Sequence, residues 1–109
     1  MKKSNRPSYP LDKLKSLIER GRFAPTIRVY NYLDRNYGES PEKVIREVFS
    51  SLEAEDFFKS EELRNRPGIM ADIYIGGYYD DTDWYVKAFI EHDELEVQIW
   101  SLCHNGEQH

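Results

Sequence analysis

The chain has 109 residues, 39% of them hydrophobic, with fifteen Lys and Arg against twenty Asp and Glu for a net charge of -5. That length fits one domain, 1–109, large enough to bury a core without disulfide or metal staples. The acidic balance excludes a whole-molecule field that draws nucleic acid or an anionic membrane, so any RNA binding must be local.

The lone cysteine, Cys103, cannot form an internal disulfide and fits a reducing compartment. No stretch approaches the roughly 18 apolar residues of a membrane span. The basic start, Met1 to Arg6, runs into polar residues rather than the apolar heart of a signal peptide. A soluble, cytoplasmic protein is expected.

Along the chain, Pro10 precedes a helical stripe of Leu11, Leu14, Leu17 and Ile18 that stops at Gly21. Thr26 can cap a second helix carrying Val29, Tyr30, Leu33 and Tyr37 and ending at Gly38, although Ile27 to Tyr32 also has strand propensity. Ser40-Pro41-Glu42 sets an N-cap, a proline at the first helical position and an acid at the positive dipole end. Val44, Ile45, Val48, Phe49 and Leu52 then form the apolar stripe of a third helix.

After the acidic turn Glu53 to Asp56 comes Phe57-Phe58-Lys59-Ser60, and the charged run Glu61 to Pro67 reads as an exposed loop closed by Pro67-Gly68. From Ile69 the period becomes two: Ile69, Ala71, Ile73 and Ile75 alternate with Met70, Asp72 and Tyr74 until Gly76-Gly77. Beyond a turn at Asp80 to Asp83, the runs Trp84 to Glu91 and Leu95 to Trp100 read as neighbouring antiparallel strands around His92-Asp93-Glu94. Helices first and strands last predict an α+β domain, N-terminal helices packed on a C-terminal antiparallel sheet, with residues 1–8 and 104–109 as flexible ends.

If Val86, Ala88, Ile90, Leu95, Val97 and Ile99 face the helices, then Tyr85, Lys87, Phe89, Glu96, Gln98 and Trp100 share the opposite face. Lysine offers a point charge for a phosphate, tyrosine a hydroxyl, and tryptophan a stacking platform, the set that single-stranded RNA recognition uses. The same pattern also describes an ordinary amphipathic sheet stabilised by aromatic pairs.

Lys59, at the start of the sheet, is either a functional cation or a solvated neighbour of Glu61-Glu62. Cys103-His104 with His109 does not make the spacing of a structural zinc site, and His92 belongs to the predicted turn. Gly76-Gly77 does not precede a helix, so it is no phosphate loop.

Several ordered strings carry a family resemblance: Arg6-Pro7 leading into Leu11 to Leu17, Asp56-Phe57-Phe58-Lys59-Ser60, Asp72-Ile73-Tyr74 and Trp84-Tyr85-Val86-Lys87. Together they resemble the MqsR type of toxin from bacterial toxin–antitoxin systems, whose corresponding second string is Asp-Phe-Tyr-Lys-Ser. The resemblance implies a RelE-like fold and a metal-independent, cofactor-free endoribonuclease that cuts messenger RNA, often at G-C-U triplets. It also implies silencing by a zinc-containing, helix-turn-helix antitoxin.

Carried over by position, the family's lysine falls on Lys59 and its active-site tyrosine on Tyr85. The glutamine before the Asp-Val-Tyr string is replaced by Ala71, and the lysine of the last strand by Trp100. The expected site is therefore Lys59 and Tyr85 as catalytic residues, with Lys87, Gln98 and Trp100 gripping RNA and Glu96 as the candidate general base. The alternative is a non-catalytic domain of the same fold that binds an antitoxin or another protein through that face.

Overall fold

Among the described residues, three amphipathic helices form where the apolar spacing places them. The first, α1 (Leu11–Glu19), buries Leu14, Leu17 and Ile18. The second, α2 (Ile27–Tyr37), buries Val29 and Leu33, and its first turn is capped by Thr26 Oγ1, which accepts the Val29 N–H at 3.3 Å. In α3 (Pro41–Ser51) the buried stripe is Val44, Ile45, Val48 and Phe49. Ser40 holds the N-cap position of α3, but through its carbonyl, which accepts the Lys43 and Val44 N–H groups, rather than through its hydroxyl.

The computed structural model describes residues 3–38, 40–91 and 95–108. The turn predicted at His92-Asp93-Glu94 and the terminal His109 lie outside the described residues. Among the described residues six strands make one sheet: β1 (Lys3–Ser4), β2 (Phe23–Pro25), β3 (Phe57–Leu63), β4 (Arg66–Gly76), β5 (Trp84–Glu91) and β6 (Glu96–His104). Their order is β1-β3-β4-β5-β6-β2, antiparallel throughout except that β2 runs parallel to β6.

The helices cover one face, and the core lies between them and Tyr74, Trp84, Val86, Ala88, Ile90, Val97, Ile99 and Leu102 of the sheet. This is the predicted α+β arrangement, with two short strands added. Among the described residues no helix is long and apolar enough to cross a membrane.

Four local expectations are corrected. The charged run Glu61 to Pro67 is not a loop: β3 continues to Leu63 and β4 starts at Arg66. Its charges find partners outside the run, Glu61 with Lys59 and Lys87 and Arg66 with Glu91, and the Glu62 carboxylate accepts the Gly68 N–H at 2.7 Å. The proline and glycine fall where the register shifts between Glu62 and Leu63, an irregularity that accommodates a missing donor and Gly68 at φ +92.

Phe89, expected on an exposed surface, is buried in a second cluster with Leu63 and Ala71, against which Tyr9, Ile69 and Trp100 pack. Leu95 does not face the helices: it precedes β6 at φ +49 and is exposed.

The chain ends are also engaged. Lys3 and Ser4 pair with Glu61 and Ser60, and the Ser8 and Tyr9 N–H groups both donate to the buried Asp72 carboxylate at 2.9 Å. At the other end, the Asn105 N–H donates to the Asp83 carbonyl and the Tyr32 hydroxyl to Glu107.

Candidate functional site

The two-residue period of the strands arranges the face opposite the helices into cross-sheet rows. One row runs Lys59, Ile73, Lys87 and Ser101 across β3, β4, β5 and β6. Beside it lies the row Ile75, Tyr85 and Cys103. On the other side, Glu61 of β3 pairs with Ala71 of β4. Lys59, Lys87 and Tyr85 are therefore brought together, separated by strand spacings of about 5 Å and a two-residue step of about 7 Å.

Glu61 joins the two lysines. Lys59 Nζ lies 3.1 Å from Glu61 Oε2, and Lys87 Nζ donates to Glu61 Oε1 at 3.2 Å. Lys59 also stands 5.4 Å from the centre of the Phe58 ring. The Glu61 side chain is only 15% exposed. Burial pushes its carboxyl upward, but the hydrogen bonds and charges of Lys59 and Lys87 outweigh that and hold it below the ordinary range.

Tyr85 is half-buried next to this triad. Burial first, and then the Glu61 charge, raise its phenol, while the Arg28 guanidinium opposes the rise. A neutral phenol that keeps its proton is suited to giving one to a developing oxyanion.

Arg28 was not legible as a site residue. It sits in the first turn of α2, where a cation faces the positive end of the helix dipole and gains nothing from it. Its guanidinium instead donates to the Trp100 carbonyl at 2.9 Å and to Ser101 Oγ at 3.2 Å, which fixes it at the β6 border of the face. That unfavourable helix position was the one sequence signal available.

Trp100 reaches the same region through a bulge. The register steps from Lys87–Ser101 to Ala88–Ile99, so Trp100 has no partner on β5 and shares the open side with Ser101. Its ring packs on Phe89 at 5.7 Å between centres.

Gln98 and Glu96 are placed further away. Gln98 pairs with Phe89 and donates to Glu96 Oε1 at 3.0 Å, while Glu96 pairs with Glu91. Six residues of extended strand, about 20 Å, separate that end of β5 from Tyr85. The structure does not bring Glu96 to Lys59 and Tyr85, whereas Glu61, read from the sequence as part of a loop, lies among them.

Cys103 and His104 point to opposite sides of the sheet: Cys103 shares the row of Tyr85, while the His104 ring packs edge-on against buried Trp84 at 4.7 Å. Among the described residues no group of three His, Cys, Asp or Glu side chains could hold a metal ion.

The order of these elements agrees with a match to the family described as "Motility quorum-sensing regulator, toxin of MqsA", which covers residues 6–101. The chain belongs to the MqsR toxin family. Membership makes it a toxin of a toxin–antitoxin system, with an antitoxin as partner. No curated protein matches it significantly. Lys59 and Tyr85, the positions to which the resemblance carries the MqsR lysine and tyrosine, lie on the same face of the sheet, on β3 and β5 with β4 between them.

Proposed function

We propose that this toxin is a metal-independent endoribonuclease that cuts messenger RNA on the open face of its sheet. The observation that carries the reading is Glu61, held between Lys59 and Lys87 beside the half-buried Tyr85 phenol. Cations, a carboxylate and a proton donor on one surface are the groups that attack by a ribose 2′-hydroxyl needs.

The ground state of Glu61 is that of a weak base, because both lysines donate to it. An RNA phosphate entering between Lys59 and Lys87 offers them a competing anion. Once their hydrogen bonds turn to the phosphate, whose charge also offsets that of the lysines, their hold on Glu61 weakens and burial, which raises a carboxyl's basicity, counts for more. Substrate binding therefore activates the base.

Glu61 then takes the 2′-hydroxyl proton as the 2′-oxygen bonds to phosphorus, and Lys59 and Lys87 stabilise the charge on the phosphoryl oxygens. Tyr85 protonates the departing 5′-oxygen as its bond to phosphorus breaks. The products are a 2′,3′-cyclic phosphate and a 5′-hydroxyl, with Glu61 reset by loss of its proton to solvent and Tyr85 by gain of one.

Ala71 has a place in this scheme. It is the cross-strand partner of Glu61, and its short side chain leaves the carboxylate room over β4. Trp100 and Arg28 flank the phosphate site, one offering a ring to a base and the other a charge to the backbone. The antitoxin partner would be the zinc-containing, helix-turn-helix type that the sequence resemblance implies.

The test is tightly controlled expression in a bacterial host of the native protein, Lys59→Ala, Tyr85→Phe, Glu61→Gln and Glu96→Gln, with RNA ends mapped. Growth arrest that is lost in the first three variants and kept in Glu96→Gln, with new ends bearing 5′-hydroxyls, is expected. Stable native protein that neither arrests growth nor generates such ends would refute the proposal.

A further inference from the structure

Beyond the row of Tyr85 and Cys103 the open face does not end at β6. It continues into a cavity of about 470 Å³ between that strand and α2. One helical face of α2 forms its wall: Arg28, Asn31, Tyr32 and Arg35 recur at three- and four-residue steps, so they line up along the cavity. A volume of this size holds a nucleotide-sized ligand.

The chemistry of the wall is mixed in a way that suits one. Arg28, tethered to Trp100 and Ser101, stands at the border with the Tyr85 site. Arg35 lies seven residues on, roughly 10 Å along the helix, with its guanidinium 5.9 Å from the centre of the Tyr32 ring. Ile27, 73% exposed, offers a large apolar side chain to the cavity, and the Glu107 carboxylate, which accepts the Tyr32 hydroxyl, supplies an acceptor.

Lys59, Lys87, Arg28 and Arg35 thus follow one another from β3 to α2 across an otherwise acidic chain. Such a band of cations tracks a single strand's backbone, and an apolar and amide-lined recess beside it receives a splayed base.

We propose that the cavity between α2 and β6 is the subsite for a nucleotide flanking the scissile phosphate, with Arg35 contacting its phosphate and the Ile27, Asn31 and Tyr32 wall holding its base. This rests on the reading of the Lys59–Glu61–Lys87 site as one that handles RNA. The helix α2 then sets how the strand is threaded, while the sheet carries out the chemistry.

The test uses a mixed-sequence hexanucleotide with 2′-O-methyl riboses, whose blocked 2′-oxygens cannot attack. Its binding to the full chain is followed by fluorescence anisotropy over a series of salt concentrations for the native protein, Arg35→Gln, Asn31→Trp and Lys43→Gln. Arg35→Gln is expected to weaken binding at least roughly fivefold and to lower the steepness of the salt dependence by about 0.7, one phosphate contact on a single strand. Asn31→Trp changes no charge but fills the recess from an exposed helix position, and is expected to weaken binding to a similar degree.

Lys43→Gln removes the same charge from α3 and is expected to stay within about twofold of the native protein. Equal losses from Arg35→Gln and Lys43→Gln, native affinity in either cavity variant, or no binding by the native protein would each overturn the subsite. Cleavage of the unmodified hexanucleotide is measured in parallel. Cavity-dependent binding without cleavage refutes the nuclease reading and keeps the cavity as a nucleotide-binding subsite, and cleavage with cavity-independent binding refutes the subsite alone.

Discussion

Replacing Glu61 by glutamine removes the proposed base and the anion between two lysines while keeping the side chain's shape. The structure sets two magnitudes. Each Lys–carboxylate contact, at 3.1 and 3.2 Å between partly shielded groups, is worth about 1 kcal/mol. The amide oxygen retains part of that, so Glu61→Gln is expected to cost about 1–2 kcal/mol, or roughly 5–10 °C in Tm for a domain of this size.

Loss of a general base costs about 10²–10⁴-fold in rate, far more than such a change in stability can cause while the protein stays folded. The pH dependence has a definite sign. The folded carboxyl of Glu61 is depressed, so its stabilisation is fully present above the unfolded value of about 4.3 and is lost as pH falls through the folded one. The gap in Tm between the native protein and Glu61→Gln should therefore narrow from about pH 5 toward about pH 2.

Circular-dichroism melts across that range, paired with single-turnover cleavage of a short RNA at neutral pH, measure both quantities. A gap in Tm independent of pH would refute the account of the Lys59–Glu61–Lys87 triad. A fall in cleavage rate below about tenfold would refute Glu61 as the base.

Trp100→Lys removes a ring packed on Phe89 and should lower stability by about 2 kcal/mol in denaturant titration. Because it adds a cation beside Lys87, it should also speed cleavage and shift the preferred sites in RNA-end mapping; an unchanged rate and pattern would count against a role for this residue in gripping RNA. Asp72→Ala leaves the Ser8 and Tyr9 N–H groups without their acceptor in a buried setting, so roughly 2–4 kcal/mol should be lost, with faster proteolysis near the N-terminus. Gly77→Ala places a Cβ 2.9 Å from the Val48 carbonyl oxygen at φ +66 and should cost about 1–3 kcal/mol, read from the shift in melting temperature.

The helices were legible because their apolar residues recur at helical spacing between strong punctuation, Pro41 at one start and Gly38 at one end. The strands from Ile69 onward were legible by alternation. The second half of β3 was not, since a run such as Lys59-Ser60-Glu61-Glu62 looks solvated until its partners on β4 and β5 are in place. Strands β1 and β2, two and three residues long, are defined by their neighbours and have no pattern of their own.

The candidate site divides in the same way. Lys59, Tyr85 and Lys87 could be placed on one face by period and resemblance. Glu61 was hidden inside an apparent loop, and Arg28 arrives from a helix that the strand period says nothing about. Alternation also put Phe89 on the correct side of the sheet while saying nothing of Leu63, Tyr9 and Trp100, which cover it.

The bulge in β6 has a consequence for how this surface can change. Trp100 stands outside the ladder, with Ile99 and Ser101 paired on either side of it. Its side chain can therefore be exchanged without moving the register of either half of the strand, and what changes beneath it is the cover over Phe89. The sheet holds a slot at which the chemistry presented to a ligand can be rewritten one residue at a time, separately from the strand pairing that builds the domain.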